Sequence, residues 1–478
     1  MASPSASTLP SWKKIIYGSG QYGLAAFGML RQIFYAIFLT DVIGLDPRLA
    51  SIGALVGIIW DAVNDPLVGA LSDRVRTRWG RRRPFLLLFA VPFGLSFVIL
   101  WWAPPWHSQL ALTAYVTLAF MLSDTFGTLV AVPYTAMTPE ISHDYDERTS
   151  LAGYRMFFQL AASLTTAIAA PSIVDAALAA GMTQQQGYLI VAGMFGGISI
   201  LPLFLIFFVI RGNAGNRPEA EPVALSAAIR TIWANVPFRF AATLNMLNWM
   251  AADLVALMLP YYLLYWIARG DLLASVTIFG LKLSLESGVL GLLLLTAILA
   301  IPFWTWVARR LSKRLTYLIG VTPWLLAYVL LCFVQPGQAD LMLGISALAG
   351  IGLATGYILP EAIFPDVIEW DELLTRRRQE GIYYGIKNFV RKISGAFAFF
   401  LALQILGWSG YRAPPEGALG FIQPDRTLLV IRLMVGPAGL ILLLGAVAVA
   451  WFYPLTRERH GRIRRLLEKR NGRGRESD

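Results

Sequence analysis

Long apolar segments alternate with short polar ones along almost the whole chain. Many of these segments reach the roughly 20 residues that a transmembrane helix needs. A segment that crosses a bilayer must satisfy its backbone hydrogen bonds internally, so each apolar window predicts an α-helix. We find such windows at 14–40, 49–72, 84–103, 109–137, 150–174, 187–210, 236–266, 284–308, 315–335, 340–364, 381–407 and 428–454. The pattern predicts an all-α membrane protein with twelve transmembrane helices.

Basic residues concentrate in every second connection between these windows. Arginines crowd the connections at 74–83 and 309–314, whereas those at 104–109, 175–187 and 335–340 contain neither Lys nor Arg. Cytoplasmic connections of membrane proteins carry the excess of positive charge. We therefore expect both termini on the cytoplasmic side, in a multi-pass protein of the bacterial inner membrane.

The longest polar interruption falls at the midpoint of the chain and predicts a cytoplasmic linker at 212–228. It separates an N-terminal six-helix half, 1–211, from a C-terminal six-helix half, 229–455. Transporters built from two parallel repeats have this organisation. Residues 456–478 follow as a basic cytoplasmic tail.

Composition narrows the class of protein further. Hydrophobic residues make up 56% of the 478 residues and charged residues only 14%, against about 25% charged in soluble domains. The net charge of +11 lies in the connections and so reflects membrane topology, not nucleic-acid binding. One cysteine and three histidines exclude a disulfide framework and a zinc cluster. No HExxH or GxSxG motif occurs, so we expect neither an enzyme nor a cofactor, and most simply a monomer.

Three charged residues inside apolar windows suggest ion coupling. Asp61 and Asp65 are four residues apart, which places both carboxylates on one helix face. Two such groups can share a proton or a hard cation such as Na⁺, or be neutralised by a cationic side chain. Lys392 of the eleventh window is their natural partner. We predict that Asp61, Asp65 and Lys392 couple transport to H⁺ or Na⁺.

Further polar residues within the windows are candidates for solute binding, because a buried polar group needs a partner, a cavity or a function. The guanidinium group of Arg31 is equally suited to gripping a solute and to pairing with an acid of the second or fourth helix. Trp249 offers an aromatic face beside polar groups, as a sugar ring requires. The predicted substrate-binding residues are Arg31, Arg155, Asp124, Asn248, Trp249, Asp253 and Asn388.

Charges near the predicted cytoplasmic ends of the helices are candidates for gates. Opposite signs follow the second and fourth windows, so ion pairs between these two groups are expected. The predicted gating residues are Asp73, Arg74, Asp144, Arg148, Glu361 and Asp366.

Several motifs resemble those of the major facilitator superfamily, and within it the glycoside–pentoside–hexuronide:cation symporters. The most specific is WDAVNDPLVGALSDRVRTRWGRRRPF at 60–85, and others lie at 22–45, 132–158 and 359–381. The resemblance implies a symporter of a sugar or sugar derivative that works by alternating access. It matches Asp61 and Asp65 to the cation-site acids, Lys392 to the lysine coupled to them, and Arg155 to an arginine of the sugar cavity.

The chain also departs from this family. Leu30 and Ala131 stand where melibiose-type members have two further carboxylates, and Asp124 lies seven residues before Ala131 on the same helix face. With fewer oxygen ligands for Na⁺, we expect H⁺ in preference to Na⁺. Vertebrate lysophospholipid transporters resemble the same family, so a carrier of lysolipids or other amphiphiles is the alternative expectation.

Overall fold

The computed structural model describes residues 9–142, 144–210, 232–233, 235–278, 280–375, 380–415, 417–455, 458–463 and 465–466. Nearly all of these residues lie in helices. In chain order we label the α-helices α1 (Ser11–Ile33), α2 (Tyr35–Ile37), α3 (Pro47–Arg74), α4 (Arg83–Leu100), α5 (Gln109–Ala136), α6 (Thr138–Ile141), α7 (Tyr145–Ala179), α8 (Gln184–Val209), α9 (Val236–Tyr261), α10 (Leu285–Arg310), α11 (Lys313–Gly320), α12 (Thr322–Leu331), α13 (Ala339–Thr375), α14 (Glu380–Trp408), α15 (Asp425–Leu433) and α16 (Gly439–Trp451).

Three π-helical turns and one small sheet complete the described structure. The π-turns lie at Phe38–Val42, Tyr262–Ile267 and Met434–Ala438. A two-stranded antiparallel hairpin joins β1 (Ser275–Ile278) and β2 (Leu281–Ser284). The apolar pattern does not predict this hairpin, which lies in the connection between the seventh and eighth windows.

The helices fall where the apolar windows predict them. Within the described residues, eleven helices are long and apolar enough to cross a membrane. They reach twelve when Ser11–Ile33 and Tyr35–Val42, which meet at an angle of 53°, count as one bent span. The prediction of an all-α, twelve-helix membrane protein is confirmed. The main difference in length is α13, which continues to Thr375, beyond the predicted end at residue 364.

Local signals explain how individual helices begin. Asp46 caps α3 by accepting a hydrogen bond from the backbone N–H of Arg48, and Pro47 occupies the first turn. Thr183 and Gln186 form a capping box at the start of α8. Pro66 lies inside α3, one residue after Asp65, where it removes a backbone donor from the helix.

The chain forms two compact units, which we describe separately. The first contains Met1–Pro218, Leu263–Gly291 and Leu403–Leu428, and the second contains Glu219–Tyr262, Leu292–Ala402 and Leu429–Asp478. The linker expected at 212–228 lies outside the described residues, as does most of the tail expected at 456–478. The division into halves at 1–211 and 229–455 stays a prediction.

Candidate functional site

Helices α3 and α5 of the first unit pack closely along one face of each. A Cβ atom added to Gly57 would lie 2.2 Å from the Phe120 ring, and one added to Gly53 would lie 2.9 Å from Thr117 Oγ1. Four residues further along α3, Asp61 meets Asp124. One turn later, Thr128 Oγ1 donates a hydrogen bond of 3.2 Å to Asp65 Oδ1. The two helices therefore run in parallel, and their contacts repeat at every turn.

The contact between Asp61 and Asp124 joins two acids. The two carboxyl groups interact electrostatically with each other. Arg31 Nη1 of α1 donates a hydrogen bond of 2.9 Å to Asp124 Oδ1. The Arg31 guanidinium also lies over the Phe120 ring, with its Cζ 4.5 Å from the ring centroid. We call the rungs Asp61–Asp124 and Asp65–Thr128, together with Arg31, the carboxylate ladder.

Asp124 is a buried member of the carboxylate ladder. Its side chain is 6% exposed, against 26% for the Arg31 side chain. No hydrogen-bond donor among the described residues reaches Asp124 Oδ2. The described residues also contain no group of three His, Cys, Asp or Glu side chains placed to hold a metal ion. A buried carboxylate oxygen without a donor is costly and requires an explanation.

The structure brings several predicted residues into this ladder. Of the two readings of Arg31, the structure has the pairing with an acid of the fourth predicted helix. The sequence analysis missed two buried polar residues of these helices, Thr128 of the ladder and Asn64 next to Asp65. Thr128 lies four residues after Asp124, a spacing that marks the same face. Asn64 is 5% exposed, and its Nδ2 has no acceptor among the described residues.

Arg155 lies elsewhere in the first unit, near the start of α7. Its Nη2 donates a hydrogen bond of 3.1 Å to Gln21 Oε1 of α1. Its Cζ lies 5.0 Å from the centroid of the Tyr134 ring. Arg155 therefore joins α1, α5 and α7, and its predicted contact with a solute stays a prediction.

The second unit contains the other group of predicted binding residues. Arg391 donates hydrogen bonds from both terminal nitrogens to Asp253, at 2.7 Å and 3.0 Å. The Arg391 Cζ lies 4.3 Å from the centroid of the Trp249 ring, which packs edge-on against Tyr357 at a centroid distance of 5.0 Å. We call these four residues the Arg391 cluster. It combines an aromatic surface with a bidentate ion pair, the strongest geometry for arginine and carboxylate.

Asn248 of α9 makes contacts with two other helices. Its side chain is buried, its Nδ2 donates to the backbone carbonyl of Gly356 at 3.1 Å, and its Oδ1 accepts from Tyr317 at 3.1 Å. The polar groups of this buried amide are thus bound within the protein, as a buried amide requires. The predicted contact of Asn248 with a solute stays a prediction.

The remaining predicted residues of the second unit lie on α14. Lys392 is half-buried, and Asn388, one turn earlier, is exposed. Lys392 belongs to the second unit, whereas Asp61 and Asp65 belong to the first. The predicted pairing of Lys392 with these acids stays a prediction.

The gating residues of the first unit are paired differently from the prediction. Arg82 joins Asp73 at 2.9 Å to Glu140 at 3.1 Å, and Arg81 also reaches Glu140 at 3.4 Å. Glu140, which we did not single out, thus forms the ion pairs expected between the two charge groups. Arg74 is exposed.

Asp144 and Arg148 instead make local contacts to the backbone. Asp144 Oδ1 accepts from the N–H of Glu147 at 2.8 Å and so caps α7. Arg148 Nε donates to the carbonyl of Ser142 at 2.8 Å. The ion pairs expected of these two residues are therefore replaced by helix capping and a turn contact, since an Asp at this position satisfies free backbone donors.

In the second unit, both predicted gating acids form ion pairs. Glu361 Oε2 lies 2.5 Å from Lys387 Nζ. Asp366 accepts hydrogen bonds from Lys313 Nζ at 2.7 Å and 2.8 Å, and it lies 3.4 Å from His460 Nε2. The basic partners were missed by the sequence analysis because they are far away in the chain.

A half-buried acid in the first unit, Asp41, was also missed. Asp41, in the π-turn that follows α2, accepts hydrogen bonds from Tyr265 at 2.5 Å and from Tyr411. Thr40 donates to the same carboxylate at 2.7 Å. These contacts hold the segments around Tyr265 and Tyr411 against the end of the first bent span within this unit.

Comparisons with known proteins agree on one family. The family model for MFS/sugar transport proteins matches residues 16–457. An uncharacterised symporter of Synechocystis is 30% identical, over 98% of each chain. A sodium-dependent lysophosphatidylcholine symporter of Danio rerio is 26% identical, over 97% of this chain and 90% of the relative. A glucuronide carrier protein homologue of Escherichia coli is 26% identical, over 93% of each chain.

Solved structures agree on the fold. A structure of a proton-dependent oligopeptide transporter superposes with a TM-score of 0.63, covering 95% of this chain and all of the other, at 13% sequence identity. At this identity the likeness concerns the fold alone. The twelve spans, the buried charges and the match over nearly the whole length lead to one conclusion: this chain belongs to the MFS/sugar transport protein family of membrane transporters.

Proposed function

We propose that this protein is a cation-coupled symporter that moves a sugar or sugar derivative across the membrane by alternating access. The observation that carries this proposal is the carboxylate ladder. A charged side chain inside a transmembrane helix costs several kcal/mol and usually serves transport. Three carboxyl groups lie along this ladder, and Arg31 donates a hydrogen bond to one of them, Asp124.

The ladder supports coupling to a cation because its acids outnumber its bases. Fully ionised, Asp61, Asp65 and Asp124 carry three negative charges against one positive charge on Arg31. A bound H⁺ or Na⁺ reduces this excess of negative charge. Cation binding therefore lowers the free energy of the closed intermediate, in which the ladder is shielded from water. Lys392 supplies a further positive charge if the predicted pairing holds. We propose H⁺ as the coupling ion, with Na⁺ as the alternative.

The Arg391 cluster supports a sugar-like solute. The Trp249 ring offers an apolar face for a pyranose ring, and the Asp253 carboxylate accepts hydrogen bonds from hydroxyl groups. The Asp253 side chain is 12% exposed and the Arg391 side chain is 28% exposed. The glucuronide carrier homologue among the relatives makes sugar acids the first class to test.

A lysolipid is the second candidate solute. The similarity to the lysophosphatidylcholine symporter of Danio rerio, over 97% of this chain, favours it. A lipid carrier needs an apolar cavity open to the bilayer, whereas a sugar carrier needs an enclosed polar one. Thermal unfolding with sugars, sugar acids or lysolipids separates the two, since a ligand of the folded state raises the melting temperature.

We further propose a cytoplasmic location for both termini and for the ion pairs of Arg82, Lys313 and Lys387. Three of these pairs, Arg82–Asp73, Lys313–Asp366 and Lys387–Glu361, would then act at the inner gate. A bacterial inner membrane and a monomeric state complete the proposal. The basic loops of the sequence support the orientation.

Uptake by proteoliposomes tests the transport function. Purified protein is reconstituted, and uptake of glucuronides, neutral sugars and lysophosphatidylcholine is measured under a pH gradient and separately under a sodium gradient. We expect accumulation of a sugar or sugar acid with the pH gradient. Asp61→Asn should abolish accumulation while keeping exchange at equal concentrations, and Asp340→Asn, which changes an exposed acid, serves as control. Uptake of no solute under either gradient would overturn the proposal.

A further inference from the structure

We infer that the second unit carries a binding site for a phosphate group, in a cavity where α10, α11, α13 and the segment after α16 meet. The cavity measures about 660 Å³ including its open mouth, a size typical of small-molecule sites. All of its described lining residues belong to the second unit, and none of them belongs to the Arg391 cluster. The inference therefore goes beyond the proposed transport of a solute.

The first argument is the charge of the cavity wall. Lys313 Nζ and Asp366 form an ion pair of 2.7 Å, so these two charges offset each other. Arg309 and Arg314 also line the cavity, and neither forms an ion pair with the described part of the chain. Their two positive charges favour an anion in the cavity.

The second argument is the enclosure of Arg314, which distinguishes this site from an ordinary basic loop. The Nε atom of Arg314 is buried and has no acceptor among the described residues, and its guanidinium lies 5.6 Å from the centroid of the Trp451 ring. Tyr453 of the same cavity wall is 4% exposed, and its hydroxyl has no partner within the described ranges. Buried donors without acceptors are rare and require an explanation. A bound oxyanion supplies the acceptor.

The third argument is the start of α11, which lies at the same cavity. Ser312 caps this helix by accepting a hydrogen bond of 3.2 Å from the N–H of Leu315. The N–H groups of Lys313 and Arg314, in the first turn, have no partner within the helix. Both residues line the cavity. Free N–H groups at a helix N-terminus favour binding of phosphate.

The acids near the cavity already have basic partners. Asp366 accepts two hydrogen bonds from Lys313 and lies 3.4 Å from His460 Nε2. Glu369 forms a hydrogen bond of 2.8 Å with the same nitrogen of His460. A bound phosphate would compete with Asp366 for Lys313. Because this ion pair is proposed for the inner gate, the ligand would also influence the opening of that gate.

A phosphate monoester is the ligand that this chemistry fits best. Arginine binds phosphate through paired N–H donors, and the acceptor oxygens of a monoester can serve several donors at once. Such a group occurs on soluble phosphorylated compounds and on the lipid phosphatidic acid. Basic pockets beside membrane-spanning helices bind lipid headgroups as well, so both sources are tested.

Thermal unfolding tests the site with two probes. The full-length protein is placed in nanodiscs of phosphatidylcholine and titrated with glycerol phosphate, with glycerol and with KCl of equal ionic strength as controls. In a second series, phosphatidic acid replaces part of the phosphatidylcholine. A ligand of the folded state raises the melting temperature, and we expect this for at least one probe. Stabilisation by glycerol phosphate indicates a soluble ligand, and stabilisation by phosphatidic acid alone indicates a lipid headgroup.

Three arginine variants locate the binding site. In Arg309→Gln and in Arg314→Gln, the apparent affinity for the probe should fall about 10-fold, as for the loss of a charge-assisted hydrogen bond. Arg310→Gln is the matched control, because Arg310 is exposed and lies over the Trp306 ring, outside the cavity lining. It should keep the affinity of the wild type.

Three results would overturn the inference. The first is that neither probe raises the melting temperature above the glycerol and KCl controls. The second is an unchanged affinity in both Arg309→Gln and Arg314→Gln. The third is an equal loss in Arg310→Gln, which would show that the probe responds only to the general positive charge of this surface. Arg309 is exposed, so its variant should fold even if Arg314→Gln does not. No transported solute is used, so the result is independent of the transport proposal.

Discussion

The two groups of buried charge in this transporter are built in opposite ways. In the first unit, the carboxylate ladder collects three acids around one arginine, and one acid oxygen is left without a donor. In the second unit, Arg391 and Asp253 match one charge to one charge through two hydrogen bonds. A group of several acids can bind and release a cation, whereas a one-to-one ion pair already balances its charges. We therefore propose that ion coupling belongs to the first unit and solute recognition to the second.

The largest expected effect follows from removing one acid of the ladder. Asp65→Asn removes the negative charge of the carboxylate that accepts a hydrogen bond from Thr128. Coupled accumulation of the solute should fall about 10- to 100-fold, which corresponds to typical coupling free energies. Exchange at equal concentrations should fall far less. Both are measured in proteoliposomes with a pH gradient and without one. Equal losses of accumulation and exchange would indicate that Asp65 serves binding and not coupling.

Breaking the two ion pairs should reveal their different construction. Asp253→Ala leaves Arg391 without its matched acid and should destabilise the protein by about 2–4 kcal/mol. Asp124→Ala leaves Arg31 beside Asp61, which can take over the pairing, so a smaller loss is expected. Melting temperatures in the same detergent compare the two. A greater loss for Asp124→Ala would contradict the division into a matched and an unmatched group.

A substitution at Gly57 should sharpen the comparison by disturbing the ladder without touching a charge. In Gly57→Ala the new methyl group meets the Phe120 ring, so α3 and α5 must separate at a cost of about 1–3 kcal/mol. Gly153→Ala is the matched control, because no atom lies within 4 Å of its added Cβ. An unchanged melting temperature in Gly57→Ala would argue against the tight register.

The smallest effect is expected at Asp46, an acid of the same region outside the membrane-spanning segment. Its hydrogen bond with Arg48 holds the pKa of Asp46 below its ordinary value. The stabilisation is therefore complete at neutral pH and is lost as the pH falls through the lowered pKa. Asp46→Ala should cost about 1 kcal/mol or less, as for other helix caps. Melting temperatures at neutral and acidic pH measure this, and the difference from wild type should shrink in acid.

Much of the fold follows from the sequence because span length and hydrophobicity are local properties. Every predicted window has its helix, and the four-residue spacing of Asp61 and Asp65 places them on one face. The partner of that face could not be predicted. It depends on how far α3 and α5 slide along each other, which Gly57 and Phe120 determine through packing. Asp124 was therefore identified as a buried acid but not as the partner of Asp61.

The gates show a second reason for incomplete prediction. The sequence indicates the signs of the charges but not which competing contact is made. Asp144 stands next to free backbone donors at the start of α7, and these take its carboxylate. Glu140, four residues earlier, is left to pair with Arg81 and Arg82. Local capping competes with long-range ion pairing, and a charge pattern alone does not reveal the outcome.

The ring of Phe120 has a mechanical consequence for transport. Phe120 belongs to α5, and its ring contacts Gly57 of α3 and lies under the guanidinium group of Arg31 of α1. One rigid side chain therefore packs against two other helices. Sliding of α3 along α5 would move this ring out of the space that Gly57 leaves open and against the neighbouring side chains of α3. The three helices should then move as one rigid body. The arrangement of Asp61 and Asp124 should therefore be the same in the outward-open and the inward-open state. In that case, the ladder acids take up or release a proton when water reaches them, and their mutual arrangement does not change.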